Sequence, residues 1–161
     1  MTYRDEIIFD QADISDIDDL LRLRIEYMID DFGSLSEADE AAMRSQLPGY
    51  YKEHLGKDLI AFVARKDGRI VGVAYLVIME KPSSPLMPRG LDATVLSVFT
   101  EEESRGQGIC SHLMRDLVDT ARDRGVDRIE LKATKDGYPV YKKIGFEDKV
   151  SHYTDMVLRF I

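Results

Sequence analysis

Glu103-Ser104-Arg105-Gly106-Gln107-Gly108-Ile109-Cys110-Ser111-His112 stands where an apolar run, Leu91 to Phe99, hands over to a helical stripe of Leu113, Leu117 and Ala121. Two glycines let backbone approach a ligand closely. The first amides of a helix have no internal partner, and the helix dipole adds partial positive charge there. Arg105 adds a guanidinium. The stretch therefore reads as an anion site suited to phosphate. A P-loop would need a Lys after the second glycine, and none follows. A dinucleotide fingerprint would need Gly at position 111, where Ser111 stands. That fingerprint also follows the first strand of a sheet, whereas about four strands precede this loop. A plain glycine-rich turn and a nucleotide-phosphate site are the alternatives that the loop alone leaves open.

Outward from the loop, the spacing predicts an α/β chain. Ile7-Ile8-Phe9 reads as a strand. Ile14, Ile17, Leu21, Ile25 and Met28 recur at helical spacing behind the capping types Asp13 and Ser15, and Gly33 closes that helix. Ser36 opens a second helix, which Pro48-Gly49 should interrupt. Leu59–Ala64 and Ile70–Met79, joined at Asp67-Gly68, form a hairpin. A Pro-rich loop, Lys81 to Gly90, leads into Leu91–Phe99. After the central helix come a strand at Arg128–Ala133, a short helix at Val140–Ile144 stopped by Gly145, and a closing strand at Tyr153–Phe160. The unit from Leu91 to Ala133 has the length of a βαβ crossover, so its strands should be parallel. A mixed sheet with helices on both faces follows.

The chain of 161 residues is the size of one domain, taken as 1–161. It is 44% hydrophobic and 32% charged, with 22 Lys+Arg against 30 Asp+Glu and a net charge of −8. That acidity argues against duplex nucleic acid and anionic membranes as main partners and suits a cationic one. A single cysteine, Cys110, excludes a disulfide framework. The acidic opening Met1 to Glu6 is unlike a signal peptide, and no stretch has the apolar length of a membrane span, so a cytoplasmic protein is expected. His54, His112 and His152 lack metal-ligand spacing, and no metal is expected.

Three motifs together carry a resemblance. Arg105-Gly106-Gln107-Gly108-Ile109-Cys110 resembles the pyrophosphate loop of the GNAT superfamily of acyl-CoA-dependent N-acyltransferases, with Cys110 where Gly or Ala is usual. Pro139-Val140-Tyr141-Lys142-Lys143-Ile144-Gly145-Phe146 resembles that family's tyrosine-bearing helix. Val95-Leu96-Ser97-Val98-Phe99-Thr100 is similar to the strand before the loop. The resemblance implies a twisted mixed sheet of six to seven strands flanked by about four helices. It implies that acetyl-CoA is the co-substrate. Gln107, Gly108, Ile109, Cys110 and Ser111 would bind its pyrophosphate by their amides, with Arg105 and Gly106 at the mouth. Ser97, Val98 and Phe99 would pair with the pantetheine arm, and a β-bulge there would aim an N–H at the thioester carbonyl.

By the same resemblance Tyr141 is the general acid that protonates the departing thiolate and part of the cofactor site. As a residue by itself it could equally be a core tyrosine. The implied reaction is acetyl transfer from acetyl-CoA to a primary amine of a small molecule or peptide, by direct attack in a ternary complex. A catalytically silent CoA-binding sensor or interaction module is the alternative. Glu26, Tyr27 and Asp30, late in the first helix, fall in the region that walls the family's acceptor pocket, and Asp92 flanks the Pro-rich loop. These are the candidate acceptor-binding residues; each acid alone could equally be a solvated surface group. Cys110 reads as a small packing residue and Glu101-Glu102-Glu103 as a solvated loop. The sequence does not fix the oligomeric state; a homodimer, the commonest soluble oligomer, is one outcome open to it.

Overall fold

The computed structural model describes residues 6–161. The stretch Met1–Asp5, most of the acidic opening discussed above, lies outside the described residues. Four helices and five strands follow one another as β1 (Ile8–Gln11), α1 (Ile17–Phe32), α2 (Glu37–His54), β2 (Leu59–Lys66), β3 (Arg69–Glu80), β4 (Leu91–Thr100), α3 (Ile109–Asp123), β5 (Arg128–Glu130) and α4 (Tyr138–Ile144).

Local chemistry sets the helix ends. Asp13 accepts from the Ser15 amide at 2.8 Å, and Asp16 returns the contact to the Asp13 amide at 3.0 Å, a reciprocal cap ahead of α1. Gly33 ends α1 with φ of +82°. Ser36 caps α2 through the Asp39 amide at 3.1 Å. The expected break at Pro48-Gly49 does not occur: α2 runs on through Pro48. Leu47 and Tyr51, on either side of it, are both buried against α1 and the sheet, and that packing outweighs the backbone bond that proline removes.

The sheet order is β1-β2-β3-β4-β5, with the first three pairings antiparallel and β4–β5 parallel, as the crossover length predicts. Period-two alternation divides the core in two. Leu59, Ala61 and Val63 face Leu20, Leu23 and Tyr51 of α1 and α2. Ile60, Phe62 and Ala64 face Leu113, Met114 and Leu117 of α3. Against β3, α3 approaches closely: a Cβ on Gly72 would lie 2.7 Å from the Ile109 methyl.

Two expectations are corrected at the far edge. β5 is three residues long, not six, and Tyr153–Phe160 is not a strand, so the described residues form five strands rather than six or seven. Alternating apolar residues dispose a segment to pair, but 153–160 is exposed and makes no ladder with either sheet edge, β1 or β5.

Candidate active site

Register exposes the first feature of the site. Val73 opposes Phe99 and Tyr75 opposes Leu96, so two steps along β3 match three along β4. The extra residue is a bulge at Ser97-Val98. Ser97 has φ of +51°, the left-handed region that a non-glycine residue seldom adopts. It is buried, and the Arg24 guanidinium holds its hydroxyl at 2.7 Å. Neither Ser97 nor Val98 has a partner in the β3 register. On its other flank β4 pairs with β5 only from Asp92 to Thr94. The backbone from Val95 onward is therefore open toward the β5 side, as a wedge into the sheet.

At the C-terminal end of β4 the chain turns through Gly106 (φ +78°) and Gly108 (φ +76°) into α3. A Cβ at either position would meet nothing within 4 Å, so space is open above both. The amides of Gln107 to Ser111 donate to no acceptor among the described residues, and the first bond at this end runs from the His112 amide to the Gly108 carbonyl at 3.1 Å. Five unclaimed N–H groups, two glycines and open space above them fit a diphosphate. Arg105 is already engaged at the loop's mouth: its Nε donates to the Thr100 carbonyl at 2.9 Å, its guanidinium lies 5.6 Å from the Phe99 ring centre, and Asp30 is 3.8 Å away.

Tyr141 is the fourth residue of α4, at the end of its first turn. Its ring packs edge-on to Phe146, and a Cβ on Gly137 would come within 2.8 Å of it. The residue is 7% exposed. Its hydroxyl has no hydrogen-bond partner among the described residues, and it lines a groove of about 900 Å³ between β5, α3 and α4. Burial pushes its pKa up to about 12, with smaller contributions from Cys110 and Tyr27. Tyr27 packs against the α1–α2 face of the sheet and Tyr141 against the α3 face.

The remaining candidates divide. Glu26 and Asp30 line a second cavity of about 360 Å³ with Phe99, Arg69, Arg105 and the acids 101–103. Tyr27 stands beside it, 6.0 Å from Phe99 between ring centres, and burial followed by the Asp31 charge raises its pKa. Asp92 is not part of this assembly. It lies five residues before Ser97, roughly 17 Å along an extended strand, and is bound by Lys81 at 2.7 Å and Arg128 at 3.2 Å. Burial alone would raise its pKa, but those two cations outweigh it and hold the carboxyl below its ordinary range. It is a structural ion pair at the opposite end of the strand.

Glu101 is also corrected. It is buried rather than solvated, taking a hydrogen bond from Arg22 and another from Arg69 at 2.7 Å, and so pins the end of β4 to α1 and β3. Cys110 is half-buried, and burial pushes its thiol up, away from a reactive thiolate. Arg24 was not among the sequence candidates. A lone basic residue between the buried Leu23 and Ile25 gives no periodic signal, and its partner, Ser97, is distant in the chain. No group of three or more His, Cys, Asp or Glu side chains among the described residues could hold a metal ion.

A glycine-rich helix start, a bulged strand diverging from its parallel neighbour and a tyrosine across the gap are the features the family resemblance implies. The chain matches the Acetyltransferase (GNAT) family over residues 18–146, and it belongs to that family. Glucosamine 6-phosphate N-acetyltransferase of Trypanosoma brucei brucei is 32% identical over 87 residues, a match spanning 53% of this chain and 56% of that protein. This chain thus aligns with little more than half the length of that curated relative. A crystal structure of a predicted acetyltransferase with acetyl-CoA from Clostridium acetobutylicum superposes with a TM-score of 0.79 at 26% identity, covering 94% of this chain and 96% of that one. A GCN5-related N-acetyltransferase from Ralstonia eutropha JMP134 shares the fold, with a TM-score of 0.78 at 21% identity over 94% and 99% of the two chains. No helix among the described residues is long and apolar enough to cross a membrane.

Proposed function

We propose that this protein transfers the acetyl group of acetyl-CoA to a primary amine by direct attack in a ternary complex. One observation carries the reading. The five unclaimed amides at the start of α3 follow a bulged β4 that parts from β5 after Thr94, with open space above Gly106 and Gly108. Tyr141 packs in one apolar cluster with Ile109 and Cys110 of that helix start.

Acetyl-CoA supplies the thioester. The amides of Gln107, Gly108, Ile109, Cys110 and Ser111 take its diphosphate, with Gly106 and Arg105 at the mouth. Ser97, Val98 and Phe99 offer the pantetheine arm a strand edge, as an added strand would use. The Val98 N–H, released from the β3 ladder by the bulge, can donate to the oxygen that becomes negative as the tetrahedral intermediate forms. The amine nitrogen bonds to the carbonyl carbon and the C–S bond breaks. The leaving sulfur takes the Tyr141 proton, and the amine's proton passes to a carboxylate or to water. A phenol with a pKa near 12 stays protonated at neutral pH and so remains a donor.

Glu26, Tyr27 and Asp30 are the proposed acceptor side. Five carboxylates and two guanidiniums line the cavity beside them, which favours a cationic amine. The likeness to a glucosamine 6-phosphate N-acetyltransferase makes an amino sugar phosphate the other acceptor to test. Free-thiol release with acetyl-CoA across a panel of polyamines, aminoglycosides, amino sugars and peptide amines tests the function. Turnover with at least one amine is expected. CoA binding with no turnover on any amine would leave the silent CoA-binding module in its place.

A further inference from the structure

Arg24 differs from the other half-buried arginines of the chain. Arg22 pairs with Asp19, Glu26 and Glu101, Arg65 with Asp10 and Asp16, and Arg128 with Asp92 and Glu130. Arg24, half-buried on α1, pairs with no carboxylate among the described residues. Its one described hydrogen bond runs from Nη1 to the Ser97 hydroxyl at 2.7 Å, across 73 positions of sequence. The Tyr27 ring centre lies 5.8 Å from the guanidinium carbon, so an aromatic face borders the charge where a carboxylate would be usual. A charged donor makes a strong bond to a hydroxyl shielded from water, and Ser97 is 3% exposed.

The residue held in this way is the one that makes the bulge. At φ of +51° Ser97 occupies backbone space where a bulge of this kind ordinarily has glycine. Nothing intrinsic to serine keeps it there. The extra residue also reverses the alternation of β4. Val95 packs in the α3 cluster and Phe99 in the α1–α2 cluster, although residues four apart in a regular strand share a face. A strand relaxed at Ser97 would return the 97–98 backbone to the β3 ladder and carry Phe99 off the wall of the acceptor-side cavity.

We propose that Arg24 is a positioning residue for acetyl transfer. Its bond to the Ser97 hydroxyl keeps Ser97 left-handed, and that keeps the Val98 N–H free for the oxygen that becomes negative. The same helix carries Glu26, Tyr27 and Asp30, so the bond also ties the acceptor wall to the oxyanion donor. Arg24 acts through Ser97 and touches neither co-substrate nor acceptor. Its effect on rate rests on the acetyl-transfer reading, whereas the clamp is a property of the free protein.

Two readouts on the full chain separate these. In the free protein, positive φ brings the amide and α protons of residue 97 together, and a strong nuclear Overhauser cross-peak between them is expected. Arg24→Met keeps the aliphatic stem and removes the donor. It should weaken that cross-peak and shift the Ser97, Val98 and Phe99 amides, leaving those of Gln107 to Ser111 in place. Ser97→Ala removes the bond from its other end and should move Val98 and Phe99 likewise. In thiol release with acetyl-CoA, Arg24→Met should lower kcat by about tenfold or more, with CoA affinity and the KM for the amine unchanged. Glycine adopts positive φ unaided, so Arg24→Met should cost nothing further in a Ser97→Gly chain. A residue-97 cross-peak indifferent to Arg24→Met, or equal kcat losses in the serine and glycine chains, would overturn the clamp. A parent that turns over no amine while residue 97 responds as expected would remove the transfer reading and leave the clamp standing.

Discussion

The two flanks of β4 differ sharply. On the β3 side it is paired along almost its whole length, interrupted only at the bulge, with buried side chains on both faces. On the β5 side three residue pairs hold it before the strands part. The first flank is a finished scaffold made from one chain. The second is left open, and the groups proposed for the chemistry are those beside it: the amides of α3, the Val98 backbone and the Tyr141 phenol. The open flank is possible because the closed one carries the stability.

Variants on each flank can sharpen or break that division. Tyr141→Phe, on the open side, should slow turnover by about 100-fold or more while leaving acetyl-CoA affinity nearly unchanged; steady-state thiol release and calorimetric titration read the two separately. Gly72→Ala, on the closed side, drives a methyl against the stiff β-branched Ile109 and should cost about 1–3 kcal/mol in denaturant unfolding. Gly108→Ala places a side chain at φ +76° in open space. The strain of about 1–2 kcal/mol should weaken CoA binding about tenfold with less effect on the sheet.

The smallest effect is in pH. Burial raises the tyrosine pKa values of Tyr51 and Tyr141 to about 12, and that of Tyr75 well above 10.0. Groups raised in the folded state stabilise it fully below 10.0 and lose that contribution as pH climbs through the folded values. Asp16 and Asp92 are held below 3.8 by their cations, against the opposing effect of burial. Their contribution is intact above that value and fades as pH falls through it. Thermal melts should therefore hold level between these limits and decline on both sides. A decline beginning near neutrality would contradict the assignment.

Much of the closed flank was legible in the chain itself. The change from period two to period 3.6 across Phe99 to Leu113, with two glycines at the change, marks strand, loop and helix. The Asp67-Gly68 turn marks the hairpin. What was not legible depends on distant partners. Pro48 reads as a stop until the packing of Leu47 and Tyr51 against α1 and the sheet is known. Glu101 reads as solvated because Arg22 and Arg69 lie far from it in sequence. The bulge is silent because Ser97 is not a glycine; a guanidinium from α1 contacts the serine at its centre. For 153–160 the alternation shows a segment disposed to pair, yet the folded chain leaves it exposed, because alternation states a disposition and not a partner.

The claim on which the functional reading rests is that the start of α3 grips the diphosphate of CoA. Titrating CoA into nitrogen-15-labelled protein and following amide resonances tests it residue by residue. The account predicts the largest shifts at Gln107, Gly108, Ile109, Cys110 and Ser111, with Val98 responding as the arm enters the gap. Saturable binding that moves none of these amides, with the shifts gathered elsewhere, would contradict it.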